Sequence, residues 1–282
     1  MTDKPFVPWA AGILPGVRLW LGAAAGVLIL WVCLRIYGRL LRQSFAGRGK
    51  VGAAPLGLPD LLAVSSLFAW LGATVFSAWL HASQRQALTN AGIVEGALLF
   101  AVIDGGIALF LRARGLSVTR LFGLRPARPL AVAATGAGLF LAALPLVYAS
   151  FVLVQWAGGT EMEPQEITRF FTQAVERRDW GRILLAGGMA AFAAPLTEEF
   201  LFRGYFYGTL RRHLGALPAL LLVSALFASI HMNGGTLLPL FVLAACLTLA
   251  YEATGSLWTP ICIHALFNTL MLGVMFYSVR NP

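Results

Sequence analysis

The length of the chain, 282 residues, would suit one large soluble domain or two small ones, but its composition excludes a soluble protein. Apolar residues make up 59% of the chain and charged residues only 12%, with a mean hydropathy of +0.77. A soluble domain needs about 25% charged residues to cover its surface. The net charge of +9 does not indicate nucleic-acid binding, because the basic residues lie in short loops between apolar blocks. We therefore predict a polytopic membrane protein without a nucleic-acid partner.

Apolar segments near the ~20 residues that cross a bilayer follow one another along the chain. They cover approximately residues 13–34, 60–80, 91–111, 130–156, 182–210, 216–231, 235–253 and 257–278. The sequence thus predicts an all-α fold, a polytopic transmembrane helical bundle of about eight membrane spans. A cleaved signal peptide is the alternative for the first segment, but its length and the arginines that follow it favour a span.

Arginine and lysine are concentrated in alternate loops, which predicts the orientation of the bundle. The loops after the first, third and fifth segments hold most of them: Arg35, Arg39, Arg42, Arg48 and Lys50; Arg112, Arg114, Arg120, Arg125 and Arg128; Arg211 and Arg212. Because cytoplasmic loops are enriched in basic residues, we expect the odd-numbered loops to be cytoplasmic and both termini to lie outside the cytoplasm. The predicted location is the plasma (inner) membrane, with membrane lipid as a partner.

One connecting segment, residues 157–181, carries charges of both signs and does not follow this pattern. Its apolar residues Ile167, Phe170, Phe171 and Ala174 share one face at helical spacing. This segment is predicted to form an amphipathic helix at the membrane surface.

Few ionisable residues lie inside the predicted spans, and such residues usually pair or line a functional cavity. The acidic ones are Glu95, Asp104, Glu198 and Glu199, with Glu252 near the interface at a span end. Two adjacent carboxylates in one apolar helix repel each other and are costly to desolvate. The pair Glu198 and Glu199 is therefore the strongest indication of a site.

Residue spacing predicts different roles for the two glutamates. Arg203 lies four residues after Glu199, one helical turn away, so these two side chains can pair. Glu198 points about 100° away and has no such local partner, which leaves it available as a general base. Pro195 is expected to kink the helix one turn earlier. A charge cluster that only pins helices together is the alternative for a single ion pair, and the second glutamate argues against it.

Two further segments place polar side chains one turn apart. Phe227 and His231 share a face of the sixth segment, and His264 and Asn268 share a face of the eighth. Either pair alone is a weak signal, because a histidine in a span is more often a packing residue. An enzyme requires that the three helices converge, although ideal helices would place these residues at different depths.

The three motifs together resemble those of the CPBP family, which comprises the type II CAAX prenyl endopeptidases and bacteriocin-processing or immunity (Abi) proteins. The matching positions are Glu198-Glu199-x-x-x-Arg203, Phe227-x-x-x-His231 and His264-x-x-x-Asn268. The surrounding stretches Phe200-Leu-Phe-Arg-Gly204 and Gly255-Ser-Leu-Trp-Thr-Pro260 are also similar. The likeness covers about residues 190–272, and it implies two regions: a membrane bundle of about four helices without an assignable motif (1–180) and a CPBP-like catalytic helical core (181–278).

The resemblance implies an intramembrane endopeptidase. Glu198 would be the general base that activates a water molecule, and His231 would hold or share that water. His264 and Asn268 would polarise the scissile carbonyl and stabilise its oxyanion. Glu199 and Arg203 would keep the site in register. The substrate would be a membrane-associated protein or peptide.

The cofactor stays open at this point. Two histidines and a glutamate are a legitimate zinc set, so a divalent metal such as zinc is one alternative. The HExxH motif is absent, and an asparagine beside His264 suits an oxyanion donor better than a zinc ligand. Chemistry by the glutamate without a cofactor is the other alternative.

Two non-proteolytic functions also remain as alternatives. A proton-coupled transporter could use Glu198, Glu199 and His231 as a relay, although the sequence shows no inverted repeat of the kind that many transporters have. An immunity or scaffold factor could act by binding alone. The intact set of motifs favours the enzyme.

Overall fold

The computed structural model describes residues 10–81, 87–158 and 166–281, with side chains from residue 22 onward. The described residues are helical with no strand, which confirms the all-α polytopic bundle. The helices are α1 (Ala10–Phe45), α2 (Leu58–Leu80), α3 (Asn90–Ala113), α4 (Val118–Leu121), α5 (Pro129–Trp156), α6 (Glu166–Glu176), α7 (Trp180–Leu214), α8 (Ala216–Ile230), α9 (Leu237–Thr254) and α10 (Trp258–Arg280).

Seven of the described helices are long and apolar enough to cross a membrane. The sixth predicted span, residues 216–231, forms the shorter helix α8 of 15 residues. At 1.5 Å per residue α8 is about 22 Å long, less than the ~30 Å hydrocarbon core. The chain turns at Met232, whose φ is +51°, and at Gly234–Thr236, so α8 ends at Ile230, one residue from the predicted bound.

The amphipathic helix predicted between residues 157 and 181 is α6. Its residues Phe170, Phe171 and Ala174 are buried, as expected for the apolar face. Phe170 and Phe171 pack with Ile93 of α3 and with the last turns of α10 in a small second core. Residues 159–165 of that segment lie outside the described part of the chain.

Helix α7 is the central element, and it is not a uniform α-helix. Two π-helical segments, Met189–Ala193 and Phe200–Tyr207, flank a short α-helical turn at Ala194–Glu199. Pro195, where the sequence predicts a kink, lies in the α-helical turn between these segments, directly after the first of them. Segments of π-helix inside α-helices are frequent at functional sites, because they shift the direction of the side chains that follow.

The second π-helical segment carries three fully buried polar side chains, each of which contacts a buried carboxylate. Arg203 binds Glu199 one turn away on α7. The hydroxyl of Tyr205 lies 3.5 Å from Asp60, and the hydroxyl of Tyr207 donates to Glu252 over 2.6 Å. These contacts satisfy carboxylates that would otherwise be costly inside a membrane protein.

Asp60 and Glu252 differ from what the sequence indicated. Glu252, expected near the interface, is 1% exposed and pairs with Arg211. Asp60, the first residue of the second predicted span, had no role assigned from the sequence. It is fully buried and pairs with Arg114. In each case an arginine of a predicted cytoplasmic loop extends to the carboxylate. Without this partner the buried carboxylate would destabilise the fold, because an uncompensated charge is costly away from water.

The loops after the first, third and seventh predicted spans meet at one end of the bundle, as the alternation of spans requires. Four hydrogen bonds join them: Lys50 N–H to Glu252 O (2.8 Å), Leu257 N–H to Phe122 O (3.0 Å), Ser256 Oγ to Gly123 O (2.8 Å) and Trp258 Nε1 to Leu124 O (3.0 Å). This network fixes where α9 ends and α10 begins.

Replacing Gly123 with alanine should lower the unfolding temperature of the detergent-solubilised protein. Gly123 has a φ of +61°, and an added Cβ would lie 1.9 Å from the carbonyl oxygen of Gly255. We expect a loss of about 1–3 kcal/mol or more. Gly115→Ala is the matched control, because Gly115 has a φ of +74° but no atom within 4 Å of the added Cβ. Equal effects of the two substitutions would show that the contact with Gly255 contributes nothing.

Candidate active site

The two adjacent glutamates end the short α-helical turn Ala194–Glu199 of α7, and they face different surroundings. Glu199 is fully buried, whereas the side chain of Glu198 is 15% exposed. This difference follows from the rotation of about 100° per residue along a helix. Glu199 therefore points into the protein, and Glu198 stays partly exposed.

Glu199 joins two basic groups. Arg203 Nη1 donates to Glu199 Oε1 over 2.9 Å, with both side chains fully buried, so the predicted i,i+4 pair is confirmed. His264 Nδ1 lies 2.8 Å from the same oxygen. Because a carboxylate accepts hydrogen bonds, Nδ1 of His264 carries a proton. Spacing along the sequence did not reveal this second contact, which connects α7 with α10.

Glu198 faces the other side of the same imidazole. Its Oε2 lies 4.0 Å from His264 Nε2 and is shielded from solvent. Among the described residues this oxygen has no hydrogen-bond partner. His264 thus lies between the two glutamates, with one nitrogen held by Glu199 and the other directed toward Glu198.

The ring of Phe227 is the packing centre of the site. It is fully buried, and its centroid lies 4.8 Å from that of His231 and 5.8 Å from that of His264. The guanidinium carbon of Arg203 lies 4.5 Å from the same centroid, within cation–π range. The sequence marked Phe227 as part of a motif but gave it no role, because its contacts with Arg203 and His264 on other helices are not visible in spacing.

His231 is the first residue after α8 and is half-buried. Its Nδ1 lies 2.7 Å from the carbonyl oxygen of Phe227, so Nδ1 carries a proton and the neutral ring has a lone pair at Nε2. Phe227, one turn before His231, contacts both Arg203 and His264, and His264 contacts Glu199, so the three motif-bearing helices do converge.

Asn268 contacts the backbone of α7. Its Nδ2 donates to the carbonyl oxygen of Ala190 over 2.7 Å, within the first π-helical segment. The family resemblance implies that Asn268 is directed at a substrate carbonyl, and one of its two amide hydrogens is instead used within the protein. The second hydrogen is left for another acceptor.

The side chains as placed do not form a complete metal site. Among the described residues, no three His, Cys, Asp or Glu side chains lie close enough together to hold one ion. Glu198, His231 and His264 are the donor types of a catalytic zinc site, but as placed they do not approach closely enough to hold one ion. No catalytic step below is routed through a metal.

The geometry can be set beside known proteins. Residues 180–270 match the family described as "Type II CAAX prenyl endopeptidase Rce1-like". The motif resemblance is confirmed over this region. All the motif residues, from Glu198 to Asn268, lie within the matched stretch.

A Bacillus subtilis (strain 168) protein named "Putative membrane peptidase YdiL" is also similar, with 27% identity over 93 residues. The aligned region is 33% of this chain and 38% of that relative. The chain therefore aligns with well under half of the relative's length. No solved structure matches the chain.

Proposed function

We propose that the protein is an intramembrane endopeptidase that hydrolyses a peptide bond of a membrane-associated protein or peptide, with Glu198 as general base. The observation that carries the proposal is the placement of Glu198. Its carboxylate is partly shielded and lies 4.0 Å from His264, while Arg203 pairs with the neighbouring Glu199. The match to the Rce1-like family and the name of the B. subtilis relative support the same activity.

Hydrolysis begins with a water molecule between Glu198 and His231. Glu198 accepts a proton from this water, and the lone pair at Nε2 of His231 orients the water by accepting its other hydrogen. The water oxygen forms a bond with the carbonyl carbon of the substrate. The resulting tetrahedral intermediate collapses as the C–N bond breaks, and Glu198 returns its proton to the leaving amine.

The developing oxyanion is stabilised by His264 and Asn268. His264 already donates from Nδ1 to Glu199, so it donates from Nε2 as well when the ring carries both protons. Asn268 contributes the amide hydrogen that it does not use on Ala190.

Glu199 and Arg203 act through other residues. Glu199 holds the His264 ring in one orientation, in the way that the aspartate of a serine protease holds its histidine. Arg203 balances the charge of Glu199 and is itself fixed by Ala244 O, 3.2 Å from its Nη2. We place the enzyme in the plasma (inner) membrane, with lipid and a membrane-associated peptide as its partners and no nucleic acid.

The test compares the termini of membrane peptides in cells that express the wild type or Glu198→Gln at matched levels. New termini that depend on Glu198 are the expected result, and they would also identify the substrate class. Identical terminal profiles, with both proteins inserted, would contradict the proposal.

Removal of metal ions should leave the activity unchanged. In isolated membranes we expect the Glu198-dependent termini to form at an undiminished rate after treatment with EDTA or 1,10-phenanthroline, because the proposed steps use only protein side chains and water. A known zinc peptidase treated in parallel shows that chelation was complete. Loss of the termini on chelation and recovery with added Zn²⁺ would contradict a metal-free mechanism.

A further inference from the structure

Pro195 and Asn268 both affect the hydrogen bonding of one backbone carbonyl in α7, that of Ala190. We infer that Pro195 and Asn268 form one positioning unit: the proline leaves the carbonyl of Ala190 without a helical partner, and Asn268 replaces that partner. The catalytic consequence rests on the proposed function, whereas the pairing itself does not. Neither residue is required to touch the other.

The hydrogen-bond register of α7 gives the first step. The N–H of Ala194 donates to the carbonyl of Met189, five residues earlier, as in a π-helix. The next bond in this register would extend from position 195 to the carbonyl of Ala190. Pro195 has no N–H, so this bond does not form. A carbonyl at this position needs another donor.

Asn268 supplies the donor from another helix. Its Nδ2 lies 2.7 Å from the Ala190 oxygen, although the two residues are 78 positions apart in the chain. Asn268 follows His264 by one turn on α10, and His264 binds Glu199. Two polar contacts one turn apart therefore hold α10 against α7, and they lie on either side of Glu198 along α7.

The same contact fixes the orientation of the Asn268 amide. With one hydrogen held by Ala190, the other has a defined direction and is ready for an oxyanion. With alanine at position 195, the backbone N–H would satisfy Ala190 and the amide would be free to rotate. Loss of such orientation lowers the rate of the chemical step more than the binding of substrate.

Side-chain NMR tests the pairing directly. Labelling with [¹⁵N]asparagine gives four side-chain amides, Asn90, Asn233, Asn268 and Asn281, and Asn268→Ala assigns the signal of interest. We expect one Asn268 amide proton to exchange slowly with solvent in the wild type and rapidly in Pro195→Ala. Pro145→Ala is the matched control, because Pro145 also lies inside a helix, α5. An unchanged Asn268 signal in Pro195→Ala would overturn the inference.

Thermal unfolding tests the same pairing without any assay of activity. Asn268→Ala should lower the unfolding temperature by several degrees in the wild type, because it leaves the Ala190 carbonyl unsatisfied. The same substitution should have little effect in the Pro195→Ala background, where the backbone supplies the donor. Additive effects of the two substitutions would overturn the inference. The Pro145→Ala background should leave the full effect of Asn268→Ala.

Kinetics on the peptide identified by terminal profiling tests the catalytic consequence. Pro195→Ala should lower kcat about tenfold with KM unchanged, because the misplaced amide acts on the transition state. If kcat stayed unchanged although the two substitutions had non-additive effects on the unfolding temperature, the pairing would stand and its effect on catalysis would be contradicted. Failure of the proposed function would look different, since Glu198→Gln would then leave every terminus unchanged while the coupling between positions 195 and 268 persisted.

Discussion

Replacing Glu198 with glutamine should abolish the formation of new membrane-peptide termini while the protein still inserts into the membrane. Glutamine has the shape of glutamate but cannot accept a proton from water at neutral pH. General-base catalysis contributes about 10²–10⁴-fold, so the residual rate should fall below detection in cells. The measurement is a comparison of terminal profiles between the wild type and the variant at matched expression.

Glu95→Gln is the matched control for this experiment. Glu95 also lies on a membrane-crossing helix, α3, but it is exposed and far along the chain from the motif residues. We expect its variant to give the wild-type terminal profile. A cellular phenotype that depends on Glu198 without any change in termini would favour the proton-coupled relay. A phenotype that survives Glu198→Gln would favour a protein that acts by binding.

Replacing Arg203 with alanine should destabilise the whole protein, in addition to inactivating it. Arg203 and Glu199 are both fully buried and 2.9 Å apart, so the substitution leaves Glu199 with a single basic partner, His264. Breaking a buried ion pair from one side costs about 3–5 kcal/mol. The cation–π contact with Phe227 is lost as well. The measurements are expression level and unfolding temperature in detergent.

Arg212→Ala provides the control, because Arg212 lies on the same helix but is exposed. Its substitution should leave the unfolding temperature unchanged. Adding Glu199→Gln to Arg203→Ala should recover part of the lost stability, since it removes the buried charge that Arg203 neutralised. Normal expression and a wild-type unfolding temperature for Arg203→Ala would contradict the role of this ion pair.

Interactions that depend on neighbouring residues could be predicted from the sequence. The apolar segments gave the membrane-crossing helices, because crossing a bilayer requires a run of apolar residues of known length. The i,i+4 spacing gave the Glu199–Arg203 pair, because helical geometry alone brings these side chains together. The amphipathic helix α6 followed from periodicity in the same way. The three motifs gave the resemblance to a known family, which also required no long-range geometry.

Contacts between helices could not be predicted in this way. His264 binds Glu199 across 65 positions, Asn268 binds Ala190 across 78, and Tyr205 contacts Asp60 across 145. Each of these contacts depends on the tilt of the helices and on the register in which they pack. Local spacing along the sequence encodes neither the tilt nor the register.

The sequence by itself determined that the chain is an α-helical membrane protein, that Glu199 pairs with Arg203, and which side chains belong to the three motifs. Only the tertiary structure decided that His264 lies between the two glutamates and that Asn268 binds the backbone of α7. It also decided that Asp60 and Glu252 are buried with arginine partners. The physical reason is that a buried polar group must find a partner wherever the packing provides one, and the packing joins residues far apart in the chain.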